Sequence, residues 1–341
     1  MMDRPCFLIT IDTEGDNAWG RPRVATTKNA RYLERFQDLC EANRLRPTYL
    51  TSYEMVKCPV FRGFAGWVLA RDAGEIGMHL HAWNTPPLVP LTPDDLRHLP
   101  YLIEYPESVM RDKIRTMTSA LEDTFGVKML SHRAGRWSFD ERYANLLIEE
   151  GYRVDCSVTP LVSWARTKGD PVQSGGTDYE TFPQDAYWLD LENISQAGTS
   201  PLLEVPMTIL PGERTEARNL AEALRRLPGP LPTLTNPVRR VCDRVSPPVR
   251  WLRPNGRNGL QLLEIVEEIL AEGRSYAEFM LHSSEFMPGG SPTFQTEADI
   301  ERLFNDLSVL FSAVRGRFRG ATLAEYHAVV VSNQATEVAT T

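Results

Sequence analysis

Two carboxylates and two imidazoles occur at matching spacings in this sequence. Asp12 and Glu14 end or follow the apolar run from Phe7 to Ile11, and His79 and His81 close the run that starts at Glu75. On an extended chain, residues i and i+2 face the same side, so each pair points into one space. Two crowded carboxylates raise one another's pKa unless a cation intervenes. A metal resolves the conflict: one carboxylate ligates it while the other stays free as a base. His-x-His at a strand end can set two imidazoles on one ion, and imidazole with carboxylate suits zinc, and also iron, cobalt or nickel. The alternatives are structural. Asp-Thr-Glu-Gly is good turn chemistry after a strand, and each histidine could be half-buried and bonded to backbone.

Three more polar residues stand at the ends of apolar runs. His282 follows Phe279-Met280-Leu281. It reads either as a packed core histidine or as a general acid, since a reference pKa of about 6.5 suits proton delivery near neutral pH. Arg133 and Asp155 end shorter runs. Buried Arg and Asp pair structurally more often than they catalyse, and here they are expected to orient and tune the carboxylate base. Other templates fit worse. There is no GxSxG elbow, no GxxxxGK[ST] loop, no HExxH and no GxGxxG.

These residues need strands to carry them and helices to bury the strands. Periodicity predicts strands at Cys6–Asp12, Pro47–Ser52, Glu75–His81, Met129–Arg133, Tyr152–Val158, Leu203–Leu210 and Ala277–Ser283. Between them it predicts helices over Asn29–Asn43, Phe61–Arg71, Ser108–Phe125 (ended by Gly126), Asp140–Glu150 (capped by Asp140, stopped by Gly151), Leu260–Glu272 and Ala298–Val314. Such alternation implies right-handed βαβ units and a parallel sheet or barrel. In that class, reactive groups gather at the carboxyl ends of strands, where the candidates fall. The alternation breaks from about residue 159 to 257, a Pro- and Gly-rich insertion with a basic stretch. Residues 331–341 are polar and expected to be a disordered tail.

With 341 residues, 42% of them hydrophobic, the chain can bury a large core. A net charge of −8 argues against nucleic acid as the main partner. The N-terminal apolar run is strand-sized and no window is long enough for a transmembrane helix, so neither a signal peptide nor a span is expected. Five scattered cysteines without a CxxC pair suggest free thiols in a reducing compartment, hence a cytoplasmic location.

Taken in order, Asp12-x-Glu14, EIGxH and on through His81, His132-Arg133-Ala-Gly-Arg136-Trp137, VDCS around Asp155, and MLH ending at His282 resemble the polysaccharide deacetylases. These carry the NodB homology domain and are carbohydrate esterases of family four. The resemblance covers the chain from about residue 6 to 330, with the motifs in order. HLHAWNTPP and WLRP suggest a branch associated with lipopolysaccharide or exopolysaccharide. The resemblance implies an α/β fold, a distorted (β/α)7 barrel over residues 1–330 with a Pro/Arg-rich insertion. It implies a divalent metal, usually Zn2+, held by Glu14, His79 and His81. It casts Asp12 as base, Arg133 as the Arg that contacts it, Asp155 as the fourth-motif Asp and His282 as general acid. It also implies deacylation of an N-acetylated amino sugar in a polysaccharide or glycolipid precursor.

The sequence departs from that pattern. A Thr separates Asp12 from Glu14 where the family has adjacent aspartates, so the two roles could be exchanged. The second histidine would normally stand at position 83, which is Trp83, so His81 must replace it. Arg-x-Pro-aromatic becomes RAGRW.

In the insertion, Trp164, Tyr179, Trp188 and Trp251 could stack on sugar faces or form a small accessory core. Arg239, Arg240, Arg244, Arg250, Arg253 and Arg257 could meet a phosphate or a membrane headgroup or form a solvated face. Rival readings are an allantoinase-like metal-dependent C–N hydrolase acting on a small molecule, a glycosidase using Asp12 and Glu14, and a non-catalytic carbohydrate-binding barrel. The glycosidase leaves the histidines unexplained.

Overall fold

The computed structural model of the protein describes residues 4–167, 169, 175–213, 215–225, 237–238, 241–242 and 247–340. Its strands are β1 (Cys6–Thr13), β2 (Pro47–Thr51), β3 (Glu75–Leu80), β4 (Ser131–Ala134), β5 (Val154–Asp155), β6 (Tyr187–Trp188), β7 (Leu203–Glu204), β8 (Ile209–Pro211), β9 (Val249–Trp251), β10 (Tyr276–His282) and β11 (Arg319–Ala321). One curled sheet runs β10-β1-β2-β3-β4-β5-β7 with every pair parallel. β6 adds antiparallel to β7, and β11 lies beside the first half of β1. The barrel does not close through a backbone ladder between β7 and β10. Side chains span the gap instead: the Glu278 amide donates to Thr208 Oγ1 at 2.8 Å, and the Tyr276 hydroxyl donates to the Pro206 carbonyl at 2.8 Å.

The expected alternation is present. Helices Leu33–Ala42, Pro59–Ala70, Glu107–Phe125, Glu141–Glu149, Gly259–Ala271 and Glu297–Val314 follow the pattern read from periodicity, and Asp140 caps its helix by accepting from the Tyr143 amide. β1 shows how the sheet is buried on both sides. Phe7, Ile9 and Ile11 pack into the main core with Leu33, Phe36 and Phe311 of the helices. Cys6 and Leu8 join a second cluster with Val154, Leu203 and Tyr276 of other strands. A strand apolar on both faces needs such two-sided cover.

Two expectations are corrected here. Leu203–Leu210 is not one strand: β7 belongs to the barrel, whereas β8 pairs with β9 in a separate two-stranded sheet. Pro206, which has no N–H to give a ladder, lies between them. The stretch expected as an insertion thus supplies the seventh parallel strand of the sheet. The segment from residue 331, expected as a disordered tail, is helical as far as Thr340, in a helix that begins at Leu323 and meets no Gly or Pro. Among the described residues, no helix is long and apolar enough to cross a membrane.

Candidate metal centre

Strand register brings the candidates to one level. Asp12 pairs with His282 across β1 and β10, and His79 with Arg133 across β3 and β4. Glu14 lies just beyond β1 and His81 just beyond β3. Asp12, Glu14, His79, His81 and Arg133 are all buried.

Glu14 and Asp12 occupy different positions within the cluster. Glu14 Oε2 lies 3.7 Å from His79 Nε2 and 2.7 Å from His81 Nε2. Donor atoms of Glu14, His79 and His81 all fall within 4.8 Å of one another, a spread that one ion can bridge. Asp12 Oδ1 instead accepts from Arg133 Nη1 at 2.7 Å, which leaves Oδ2 facing His79 Nε2 and His282 Nε2, each at 3.8 Å.

The donor set fits a metal. His79 Nδ1 is 3.0 Å from the Arg133 carbonyl, which can only accept, so that nitrogen donates and Nε2 is the one turned to the site. The 2.7 Å approach of His81 Nε2 to Glu14 holds only if a positive centre lies between two acceptors, and a proton or a cation can serve. His81 Nδ1 is buried without a hydrogen-bond partner. One carboxylate and two imidazoles are a common zinc set.

Electrostatics favour the charged forms. Burial would raise the Asp12 carboxyl, but Arg133, His79 and His282 outweigh it and hold it below the usual range. Burial likewise opposes the charge on Glu14, and the two histidines pull its carboxyl well below normal. The His79 imidazole is pushed up: burial works against its charge, and Asp12 and Glu14 more than compensate.

The neighbourhood of His81 is built with little slack. Its ring packs on Trp83, with centroids 4.3 Å apart. The loop that follows is tied down by fully buried Lys113, whose Nζ donates to the carbonyls of Ala82, Thr85 and Pro87 at 2.7–2.8 Å. Gly135 passes so close that a Cβ there would overlap His81 Nδ1 and lie 2.5 Å from the Leu80 carbonyl oxygen.

Asp155 does not stand where the base could be fixed. It accepts from His132 Nδ1 at 2.5 Å, and His132 Nε2 meets the Tyr143 hydroxyl at 2.7 Å. The reason is register: β4 and β5 set His132, not Arg133, opposite Asp155. The second carboxylate on Arg133 is Glu278, at 2.6 Å from Nη2, with Arg133 Nε donating to the Cys156 carbonyl at 3.0 Å. The sequence reading missed Glu278, although a lone acid inside the run Tyr276–His282 was a visible signal. It also missed Glu285, which lies 3.2 Å from His282 Nδ1 and binds Arg253 at 3.0 Å.

These groups open into a cavity of about 320 Å³ lined by Asp12, Glu14, His79, His81 and His282 below and by Trp19, Trp83, Tyr101, Trp137 and Trp164 around them. Trp19 sits edge-on to His282 at 4.7 Å. Of the aromatics expected to meet a sugar, only Trp164 lines this space. Trp251 packs on Trp137, Trp188 packs on His327, and Tyr179 is buried with its hydroxyl on the Trp137 carbonyl. Of the arginines, Arg253 lines the cavity, Arg250 is held by Glu268, and Arg257 is exposed elsewhere. Arg239, Arg240 and Arg244 lie outside the described residues. A larger groove of about 900 Å³ lies at the opposite end of the barrel and holds none of this cluster.

No family model and no curated protein matches the sequence. Solved structures do. One, described as a polysaccharide deacetylase of Mycobacterium smegmatis, aligns over 98% of this chain and 93% of its own with a TM-score of 0.51 at 15% identity. The chain has the fold of the polysaccharide deacetylases. Another, described as a glycoside hydrolase/deacetylase of Parabacteroides distasonis, aligns over 95% of this chain and 71% of its own at a TM-score of 0.51 and 11% identity. A 4-α-glucanotransferase of Thermococcus litoralis gives 0.51 at 12% identity over 95% of this chain, which spans only 40% of that protein. Identities this low speak for a shared barrel.

Proposed function

We propose that the protein is a metal-dependent hydrolase that removes an N-acyl group, such as acetyl, from an amino sugar of a polysaccharide or glycolipid precursor. The observation that carries this reading is the division of labour between the two carboxylates: Glu14 meets both histidines, while Arg133 holds Asp12 aside. A binding protein has no need of a reserved carboxylate next to a ligand set. A glycosidase leaves both imidazoles idle.

Glu14, His79 and His81 would hold the ion, and Zn2+ suits their donor atoms. Such an ion, when bound, polarises an acyl oxygen and makes water acidic. Asp12 Oδ2, the oxygen left free by Arg133, takes the proton from the attacking water. His282 Nε2 gives a proton to the departing nitrogen, so that amide and water become acid and amine. Glu285 and Arg253 fix the His282 ring from its Nδ1 side. Trp19 lies edge-on against that ring. The confined cavity also suits the rival substrate class, a small molecule with a hydrolysable C–N bond. Five buried, unpaired cysteines support a reducing, cytoplasmic setting.

The test is metal content by elemental mass spectrometry, paired with release of acetate from N-acetylated sugars. One zinc per chain, lost in Glu14→Ala and His79→Ala, together with acetate release that depends on Asp12, is the expected result. A chain that takes up no divalent ion would overturn it. A metal-loaded chain that cleaves small amides and no sugar would favour the rival substrate.

A further inference from the structure

The wall of the cavity is cationic as well as aromatic. Arg21, Arg136 and Arg253 line it, and among the described residues its lining carboxylates are Asp12 and Glu14. In a chain of net charge −8, this is a local reversal of sign. Arg253 is engaged with Glu285 and His282. Arg21 Nη1 donates to the Arg97 carbonyl at 2.8 Å. The Arg136 guanidinium lies 4.1 Å over the Tyr101 ring and donates to the Leu99 carbonyl. The two arginines feel each other: burial holds Arg136 below its ordinary basicity, and the charge of Arg21 adds to this while Tyr101 and Glu104 oppose it.

The backbone is strained where it presents these groups. Eight described non-glycine residues have positive φ, and four of them line this one cavity: Arg21 at 48°, Leu99 at 51°, Arg136 at 56° and Trp137 at 61°. Left-handed backbone is costly for a branched or bulky residue, and such strain collects where a side chain must be aimed. Arg136 and Trp137 are consecutive and follow Gly135, which passes beside His81, so the chain turns sharply there.

We propose that the amino sugar taken by this site carries a negatively charged substituent, phosphate or carboxylate, received by Arg21 and Arg136 while its ring lies against Tyr101, Trp83 and Trp164. This rests on the amino-sugar reading above. A guanidinium fork matches both kinds of oxyanion, and an anion between two arginines relieves their mutual repulsion. The wall would thereby hold the sugar by the charged group and leave its acylamino group to the base of the cavity.

The experiment is binding to the zinc-loaded full-length Asp12→Asn protein, read by tryptophan fluorescence without turnover. The probes are N-acetylglucosamine, its 1-phosphate, and N-acetylmuramic acid, whose lactyl group bears a carboxylate. The expected result is ~10-fold or tighter binding of a charged sugar over the neutral one. That preference should shrink to within ~3-fold in Arg21→Gln or Arg136→Gln and persist in Arg257→Gln. Gain for the phosphate alone, or for the carboxylate alone, identifies the group. Equal affinities, or a preference that survives both cavity substitutions, would overturn the proposal and leave the hydrolase reading standing. A zinc-loaded protein that binds none of the three would instead remove the amino-sugar reading, and this one with it.

Discussion

Arg133 and Asp12 meet at 2.7 Å inside the barrel, on strands β4 and β1 that are not neighbours. The contact exists because Arg133 spans the interior and takes Glu278 of β10 on its other terminal nitrogen at 2.6 Å. One fully buried cation therefore balances two buried carboxylates. Removing it leaves two like charges in a medium that solvates neither. Arg133→Met should cost ~3–5 kcal/mol in urea unfolding. Arg133→Met with Glu278→Gln should recover part of that loss. A single substitution within ~1 kcal/mol of wild type would mean that the pair is solvated or neutral.

Asp12→Asn keeps the shape and the Arg133 contact through its amide oxygen but cannot take a proton. It should retain the metal and lose ~10²–10⁴ in turnover. His282→Ala should fall in the same range. Near-normal kcat in both would remove the roles assigned to them.

Gly135→Ala adds one methyl against the His81 ring and leaves all three ligand side chains in place chemically. It should weaken metal binding by displacing that ring, visible as a higher zinc dissociation constant in a competitive chelator titration. Gly66→Ala is the control: nothing lies within 4 Å of its Cβ and it sits inside helix Pro59–Ala70. That change should stabilise by ~0.5–1 kcal/mol and leave zinc binding alone. Equal zinc affinity in the two variants would show that His81 is not held by this contact.

Glu204 gives a pH dependence that does not involve the metal. Burial first, and then the neighbouring Asp155, push its carboxyl well above the ordinary value of 4.5. The native state therefore keeps a proton that the unfolded chain releases above that pH. With more protons on the native state, stability falls as pH rises. Glu204→Gln, which mimics the neutral acid, should match wild type near pH 4 and be increasingly the more stable toward pH 7. Calorimetric Tm at several pH values reads this directly. A constant offset across the range would mean that Glu204 is ionised in the native barrel.

Much of the architecture was legible locally. Apolar runs and helical spacing are short-range signals, and they located β1, β2, β3, β10 and their covering helices to within a few residues. They failed at Leu203–Leu210, where a run that looks continuous is divided between two sheets around Pro206.

The i, i+2 spacings of Asp12 with Glu14 and of His79 with His81 determined that each pair would share a side, because alternation is a property of one extended strand. Which carboxylate joins the histidines was undetermined by spacing. It follows from where Arg133 reaches across the barrel, and so from strand order. The same holds for Asp155. Its type and position suggested that it would help fix the base with Arg133, yet the β4–β5 register gave it His132, and the second carboxylate on Arg133 is Glu278 from the far end of the chain. Side-chain alternation is fixed within a few residues, whereas cross-barrel contacts depend on register summed over several strands and on how far the sheet curls.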